Sequence, residues 1–223
     1  MRVTFEQDRD HQRIFDDEDF VFVLEQAERS KLMQQFIAAA IRRYQTRDEV
    51  RRGKRGGDRN MEGEANSYFK DKRSRQNGVA VAHRFARLFD VHDAGNVRGA
   101  LIEAMVEGRL RARYGHGQLN NNVNVALSNG VEYRTSTSVD VAGHDGELGE
   151  CHDCKAKGSN VDIAWIRELV VNLGPHRFRI GVATAESAPA AAQAMRSRGG
   201  GIPQGVTITG PELWWDNLPL WRG

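Results

Sequence analysis

The run from Ser138 to Lys155, SVDVAGHDGELGECHDCK, constrains the chain more than any other stretch. Ser138 to Gly143 alternates as a strand does. His144-Asp145-Gly146 supplies a turn, because Asp-Gly tolerates the positive φ angles of tight hairpins. Glu147 to Lys155 is the return strand. A two-residue turn at Asp145-Gly146 pairs Gly143 with Leu148, Asp140 with Cys151 and Val139 with His152. Side chains alternate with period two, so Asp140, Cys151, Asp153 and Lys155 share a face. Two carboxylates and an ammonium therefore converge. Unpaired charge is costly to bury, so such a gathering on a sheet needs a reason.

Paired carboxylates can hold a hard divalent cation such as Mg²⁺, with Mn²⁺ as substitute, because these ions prefer oxygen ligands and keep several waters. A lysine beside them orients or helps deprotonate a water, or neutralises charge building on a phosphate. That set suits phosphodiester hydrolysis.

These residues, Asp140 followed by Asp153-Cys154-Lys155, resemble the PD-(D/E)XK nuclease motif, with Val139 in the proline position. The third position is Glu or Gln in many members of that superfamily. Asp153 is one methylene shorter, so a metal there sits closer to the strand. Glu150 points to the opposite face by alternation and is left out of the site unless a bulge reverses it.

Composition decides less than distribution. The chain has 223 residues, 28% of them charged, with a net charge of +2. That length is enough for one ordinary domain plus an extension. Residues 42–75 hold twelve Lys/Arg against six acids, a local net charge of +6. Such a segment suits a phosphate backbone, or equally a solvated linker. Two cysteines, Cys151 and Cys154, on opposite faces of one strand make a poor disulfide and point to a reducing cytoplasm. The charged start MRVTFEQDRD does not read as a signal peptide, and no apolar run approaches the ~18 residues of a membrane span.

In chain order, residues 1–16 are polar and give little signal. Phe20–Glu28 reads as a short helix. Leu32, Met33, Phe36, Ile37, Ala40, Ile41 and Tyr44 recur at three and four, a helix capped by Ser30. Arg51–Asn77 reads as a loop or arm. Helices follow over Val79–Phe89 and, capped by Asn96, over Val97–Tyr114. GHGQLNNN is a polar loop. Strands follow over Val123–Leu127 and Val131–Thr135, and then the hairpin. Ser159 caps a helix over Val161–Leu173, stopped by Gly174-Pro175. A buried strand runs over Phe178–Ala185, a small-residue helix over Pro189–Arg198, and a last strand over Gly205–Thr209. The tail PELWWDNLPLWRG carries three tryptophans, which pack on the domain edge or face a partner.

From residue 97 this order resembles the PD-(D/E)XK core, in which a helix precedes three antiparallel strands and a second helix crosses to a parallel fourth. The ending, with Gly210-Pro211-Glu212-Leu213, resembles Mrr-type restriction nuclease domains. The resemblance covers about the last 125 residues. It implies an α/β fold, a restriction endonuclease-like core with a central mixed sheet flanked by helices, plus an N-terminal helical region. The division expected is a helical region over 1–92, with a basic arm near 46–77, and a nuclease domain over 93–223.

The resemblance further implies a Mg²⁺-dependent DNA endonuclease of restriction or defence type, with Asp140 and Asp153 on the metal and Lys155 positioning the attacking water. The helix before the sheet often supplies a further Glu in that superfamily. Glu103, beside an apolar stripe, is the candidate and Glu107 the second, the alternative being an edge Glu paired to an Arg. Arg42, Arg43, Arg51, Arg52, Lys54, Arg55, Arg109 and Arg113 are candidates to contact DNA. A homodimer is expected, since cutting both strands usually needs two active sites. Other readings are a Holliday-junction or repair nuclease, a phosphoesterase acting on RNA or nucleotides, and a non-catalytic nucleic-acid-binding module. A zinc site on Cys151 and Cys154 needs His116 or His144 to complete it and has no second cysteine pair. A cysteine nucleophile served by His152 is weaker still, because adjacent strand residues point apart.

Overall fold

The computed structural model describes residues 2–7, 12–54, 58–115, 119–128, 132–198 and 201–214. It is a mixed α/β fold with an N-terminal helical region and, among the described residues, a seven-stranded sheet. The chain divides into two compact units, Met1–Asp10 with Ile102–Gly223, and His11–Leu101. The boundary falls inside a helix, and residues 2–7 form a strand of the sheet.

The helical unit holds α1 (Gln12–Phe15), α2 (Glu18–Arg29), α3 (Lys31–Arg43), α4 (Arg47–Arg52), α5 (Met61–Tyr68) and α6 (Lys72–Val91). The stretch expected as a loop or arm is helical over much of its length because its polar residues are caps. Thr46, Asn60 and Asp71 each accept a backbone N–H from the first turn of the helix that follows. Gly53, at φ +83°, ends α4. Met61, Ala65 and Phe69 are buried, and Phe36 meets the Phe69 ring edge-on at 5.2 Å.

Helix α7 (Ala94–Tyr114) runs through the division. It starts before the expected Asn96 cap, and the Asp93 side chain accepts the Asn96 N–H instead. In the second unit follow β2 (Leu119–Ser128), β3 (Glu132–Arg134), β4 (Val139–His144), β5 (Gly149–Lys155), α8 (Ile163–Leu173), β6 (Phe178–Thr184), α9 (Ala188–Ser197), β7 (Thr207–Thr209) and α10 (Pro211–Trp214). Asp162, rather than Ser159, caps α8, accepting from Ala164 N and Trp165 N. The strand order is β1-β2-β4-β5-β6-β7, with β3 also on β2. Here β1 is Arg2–Gln7, a strand that the sequence reading passed over. Pairing is antiparallel from β1 to β5, and parallel from β5 through β6 to β7. The helix, the antiparallel strands, the crossover helix and the parallel strand expected from the chain order are all present.

The core of this unit joins Val123, Val125 and Leu127 of β2 to Cys151 of β5 and to Ile180 and Val182 of β6, under Ile166, Leu169 and Leu173 of α8. β5 is buried on both faces from Gly149 to Cys154, and Lys155 at its end is partly exposed. No helix among the described residues is long and apolar enough to cross a membrane. Arg55, His116, Val131, Gly199 and the tail beyond Trp214, with two of its tryptophans, lie outside the described residues.

Candidate active site

The β4–β5 hairpin forms, but its register differs from the two-residue-turn reading. His144 pairs with Gly149, Gly143 with Glu150, Ala142 with Cys151 and Val141 with His152. The loop is therefore the four residues Asp145–Leu148. Asp145 Oδ1 accepts from Glu147 N and Leu148 N, and Asp145 N donates to Leu148 O. The aspartate side chain, satisfying two backbone donors, outcompetes the tighter turn. The slip is two residues, so every side chain keeps its face. Continued by one step, the observed register sets Asp140 across from Asp153 rather than on its diagonal.

Lys155 bridges the two acids. Its Nζ lies 2.9 Å from Asp140 Oδ2 and 2.8 Å from Asp153 Oδ1. Asp140 Oδ2 also accepts the Cys154 backbone N–H at 2.6 Å. This ties the carboxylate of β4 to the end of β5. Asp153 is buried, and its Oδ2 has no hydrogen-bond partner among the described residues. Burial pushes the Asp153 carboxyl up to about 6, against the lowering effect of the Lys155 ammonium. Burial also works against the charge on Lys155, but Asp140 and Asp153 outweigh it and hold the amine protonated.

Glu103 of α7 lies within electrostatic reach of the group. It is buried, and its Oε2 accepts from Asn122 Nδ2 at 3.0 Å. Burial first, then the Asp140 charge, pushes its carboxyl up to about 8, while Lys155 pulls the other way. Asn122 stands at φ +50°, a left-handed conformation that asparagine tolerates. Its neighbour Asn121 donates to Glu107 Oε2 at 2.7 Å, and Glu107 also pairs with Arg111 at 2.9 Å. Glu107 is thus engaged away from the group. The two asparagines were missed as site residues because Asn120-Asn121-Asn122 reads as a loop, although they lie in β2. The signal was two acids four apart on a helix, which need two donors on whatever packs against them.

Among the described residues, no three His, Cys, Asp and Glu side chains converge as metal ligands do. Lys155 stands between Asp140 and Asp153 in their place. The donor set still suits a hard cation: two opposed carboxylates, one with a buried oxygen left over, and a third acid within electrostatic reach. Cys151 and Cys154 are buried free thiols, both raised chiefly by burial.

Glu150 faces away from the group, as alternation requires. Its Oε1 accepts from Arg113 Nη1 at 2.6 Å, and its Oε2 lies 3.3 Å from His152 Nε2. Arg113, a DNA-contact candidate, pairs with this buried acid. Arg43 pairs with Glu64 and Asp58, and Arg51 with Asp90. Arg42, Arg52 and Lys54 are exposed, and Arg109 is half-buried.

No family model matches the chain, and no curated protein does. Among solved structures the chain is similar to protein VC1899 from Vibrio cholerae, at 13% identity and a TM-score of 0.43. The match covers 96% of this chain and 56% of that one, so the chain spans little more than half the length of its structural neighbour.

Proposed function

We propose that the chain is a metal-dependent DNA endonuclease of the PD-(D/E)XK type, with a role in restriction or defence. The observation that carries this reading is Lys155 held between Asp140 and Asp153 while Asp153 keeps a buried, unpartnered oxygen. Buried acceptors normally find a donor, and a bound cation would satisfy this one.

Asp140 and Asp153 would hold Mg²⁺, with Glu103 as a further acid, and the bound ion would supply charge neutralisation at a phosphate and acidify a water. Lys155, released from one carboxylate, orients the attacking water and sets a positive charge beside the pentavalent phosphorus. Glu103, with its carboxyl held up by burial, loses its proton most readily when a cation arrives. Arg42, Arg52 and Lys54 offer exposed charge to the DNA backbone.

The test is incubation of supercoiled plasmid with Mg²⁺ or Mn²⁺, wild type beside Asp153→Ala and Lys155→Ala. Nicking or linearisation by wild type alone supports the reading. Absence of cleavage on duplex, modified, branched and single-stranded DNA with either metal overturns it and moves weight to RNA cleavage or to a binding role.

A further inference from the structure

Strand β1 is an open edge of the sheet. Its inner side pairs with β2 from Arg2↔Ser128 to Gln7↔Val123, and no strand among the described residues pairs with its outer side. Native edges are commonly blunted by proline, lysine, a bulge or a covering element. Residues 2–6, RVTFE, carry neither proline nor lysine, and their register with β2 is unbroken.

The same five residues are self-complementary about their centre. Arg2, Thr4 and Glu6 are exposed on one face. Val3 and Phe5, half-buried, pack against the core on the other. Antiparallel pairing of two copies about Thr4 sets Arg2 opposite Glu6 of the second copy, twice. It also sets Val3 opposite Phe5, twice. Opposite charges directly across a ladder stabilise it, and so do aromatic and β-branched pairs. Moving the axis by one residue leaves Arg2 facing Thr4. Moving it by half a residue sets an apolar residue against a polar one. Only the axis at Thr4 satisfies both faces. Glu6 already meets Arg134 at 2.9 Å on the solvent face, so the second copy's Arg2 adds to a formed charge pattern.

We infer that β1 is a homodimer interface, at which two copies of the chain join by antiparallel strand addition centred on Thr4, forming one sheet continuous across both. The partner is a second copy, because the pattern complements itself. This holds whatever reaction the chain performs.

Sedimentation equilibrium tests it on the full chain. Pairing over residues 2–6 buries less than the ~1,200 Å² of a standard interface, so the concentration series should run to about 100 μM. The wild-type mass should rise from 25.0 kDa toward twice that value. Arg2→Glu sets Glu against Glu across the axis, and Glu6→Arg sets Arg against Arg. Each variant alone should stay monomeric, with wild-type far-UV circular dichroism showing that it folds. An equimolar mixture of the two should dimerise again, because both cross-axis pairs then become Glu–Arg. A wild type that is monomeric throughout, single variants that dimerise as wild type does, or a mixture that stays monomeric would each overturn the interface.

Discussion

Asp153 gives Oδ1 to Lys155 at 2.8 Å and leaves Oδ2 buried without a hydrogen-bond partner among the described residues. One half of the carboxylate is satisfied and the other half is not. A buried acceptor without a donor costs about 1–3 kcal/mol. Under the proposed function this second oxygen would take the cation, with Asp140 as the other acid.

The first expectation concerns that half-used carboxylate. Asp153→Asn keeps the shape and removes the charge, so Mg²⁺ should no longer stabilise the fold. In thermal melts at pH 8, wild type should gain several degrees with millimolar Mg²⁺, because a ligand binding only the native state shifts the equilibrium. Asp153→Asn should gain none. Cleavage should fall more than about 100-fold in Asp153→Asn, since outer-shell changes alone cost 10–100-fold. Lys155→Ala should lose about 10²–10⁴-fold in cleavage while keeping its Mg²⁺-dependent shift, as expected for a group that positions water rather than metal. A Lys155→Ala protein that no longer responds to Mg²⁺ would count against that division of roles.

The second concerns pH. The carboxyls of Glu103 and Asp153 are raised in the fold, to about 8 from 4.5 and to about 6 from 3.8. Between those values the native state binds more protons than the unfolded chain, so without metal stability falls as pH rises. The loss starts near pH 4 for both groups. It is complete for Asp153 just above pH 6 and for Glu103 just above pH 8. Glu103→Gln should flatten the upper part of this decline, and at pH 8 it should melt several degrees above metal-free wild type. Guanidinium unfolding at pH 5, 6.5 and 8 measures the slope directly. A Glu103→Gln slope equal to wild type would place the proton elsewhere.

A third expectation follows from the acid on the opposite face. Glu150 is buried, with Arg113 at 2.6 Å and His152 at 3.3 Å. Removing one partner of a buried pair leaves an uncompensated charge. Glu150→Ala should cost about 3 kcal/mol, the low end for such a loss, because Arg113 keeps a third of its side chain in water. Urea titration should show a lower midpoint with an unchanged slope. A change within 0.5 kcal/mol would mean that the pair adds no net stability.

The hairpin was legible because alternation, an Asp-Gly turn and a charged strand end agree over eighteen residues. The sharing of a face by Asp140, Asp153 and Lys155 was legible for the same reason, since a slip of two leaves parity intact. What escaped was set by capping and by distant pairing. Asn60 and Asp71 look like loop residues until the helices they cap are seen. The alternation of RVTFE is weak alone, and β1 acquires meaning only from β2, more than a hundred residues later. Charge counting over residues 42–75 shows no pairing, whereas in the fold Asp90 meets Arg51 and Glu64 meets Arg43.

A last expectation tests what holds the end of β5 in place. Gly158 follows Lys155 by three residues and begins the 3-10 turn leading to α8. Its N–H donates to Glu186 Oε2 at 2.9 Å, and it is buried against α9. A Cβ there would lie 2.4 Å from the Ala191 carbonyl oxygen and 2.7 Å from its Cα. Both are backbone atoms of a helix, which cannot rotate aside as a side chain would. Gly158→Ala must therefore push α9 away or draw the turn, and with it the strand end bearing Lys155, out of line. Overpacking of this kind costs about 1–3 kcal/mol. Cleavage per folded molecule should fall as well, because a shift of ~1 Å at a positioning group can cost about 100-fold. Gly174→Ala is the control, since nothing lies within 4 Å of a Cβ at that position. If Gly158→Ala matched Gly174→Ala in both melting temperature and plasmid nicking, the contact with Ala191 would not be what fixes Lys155.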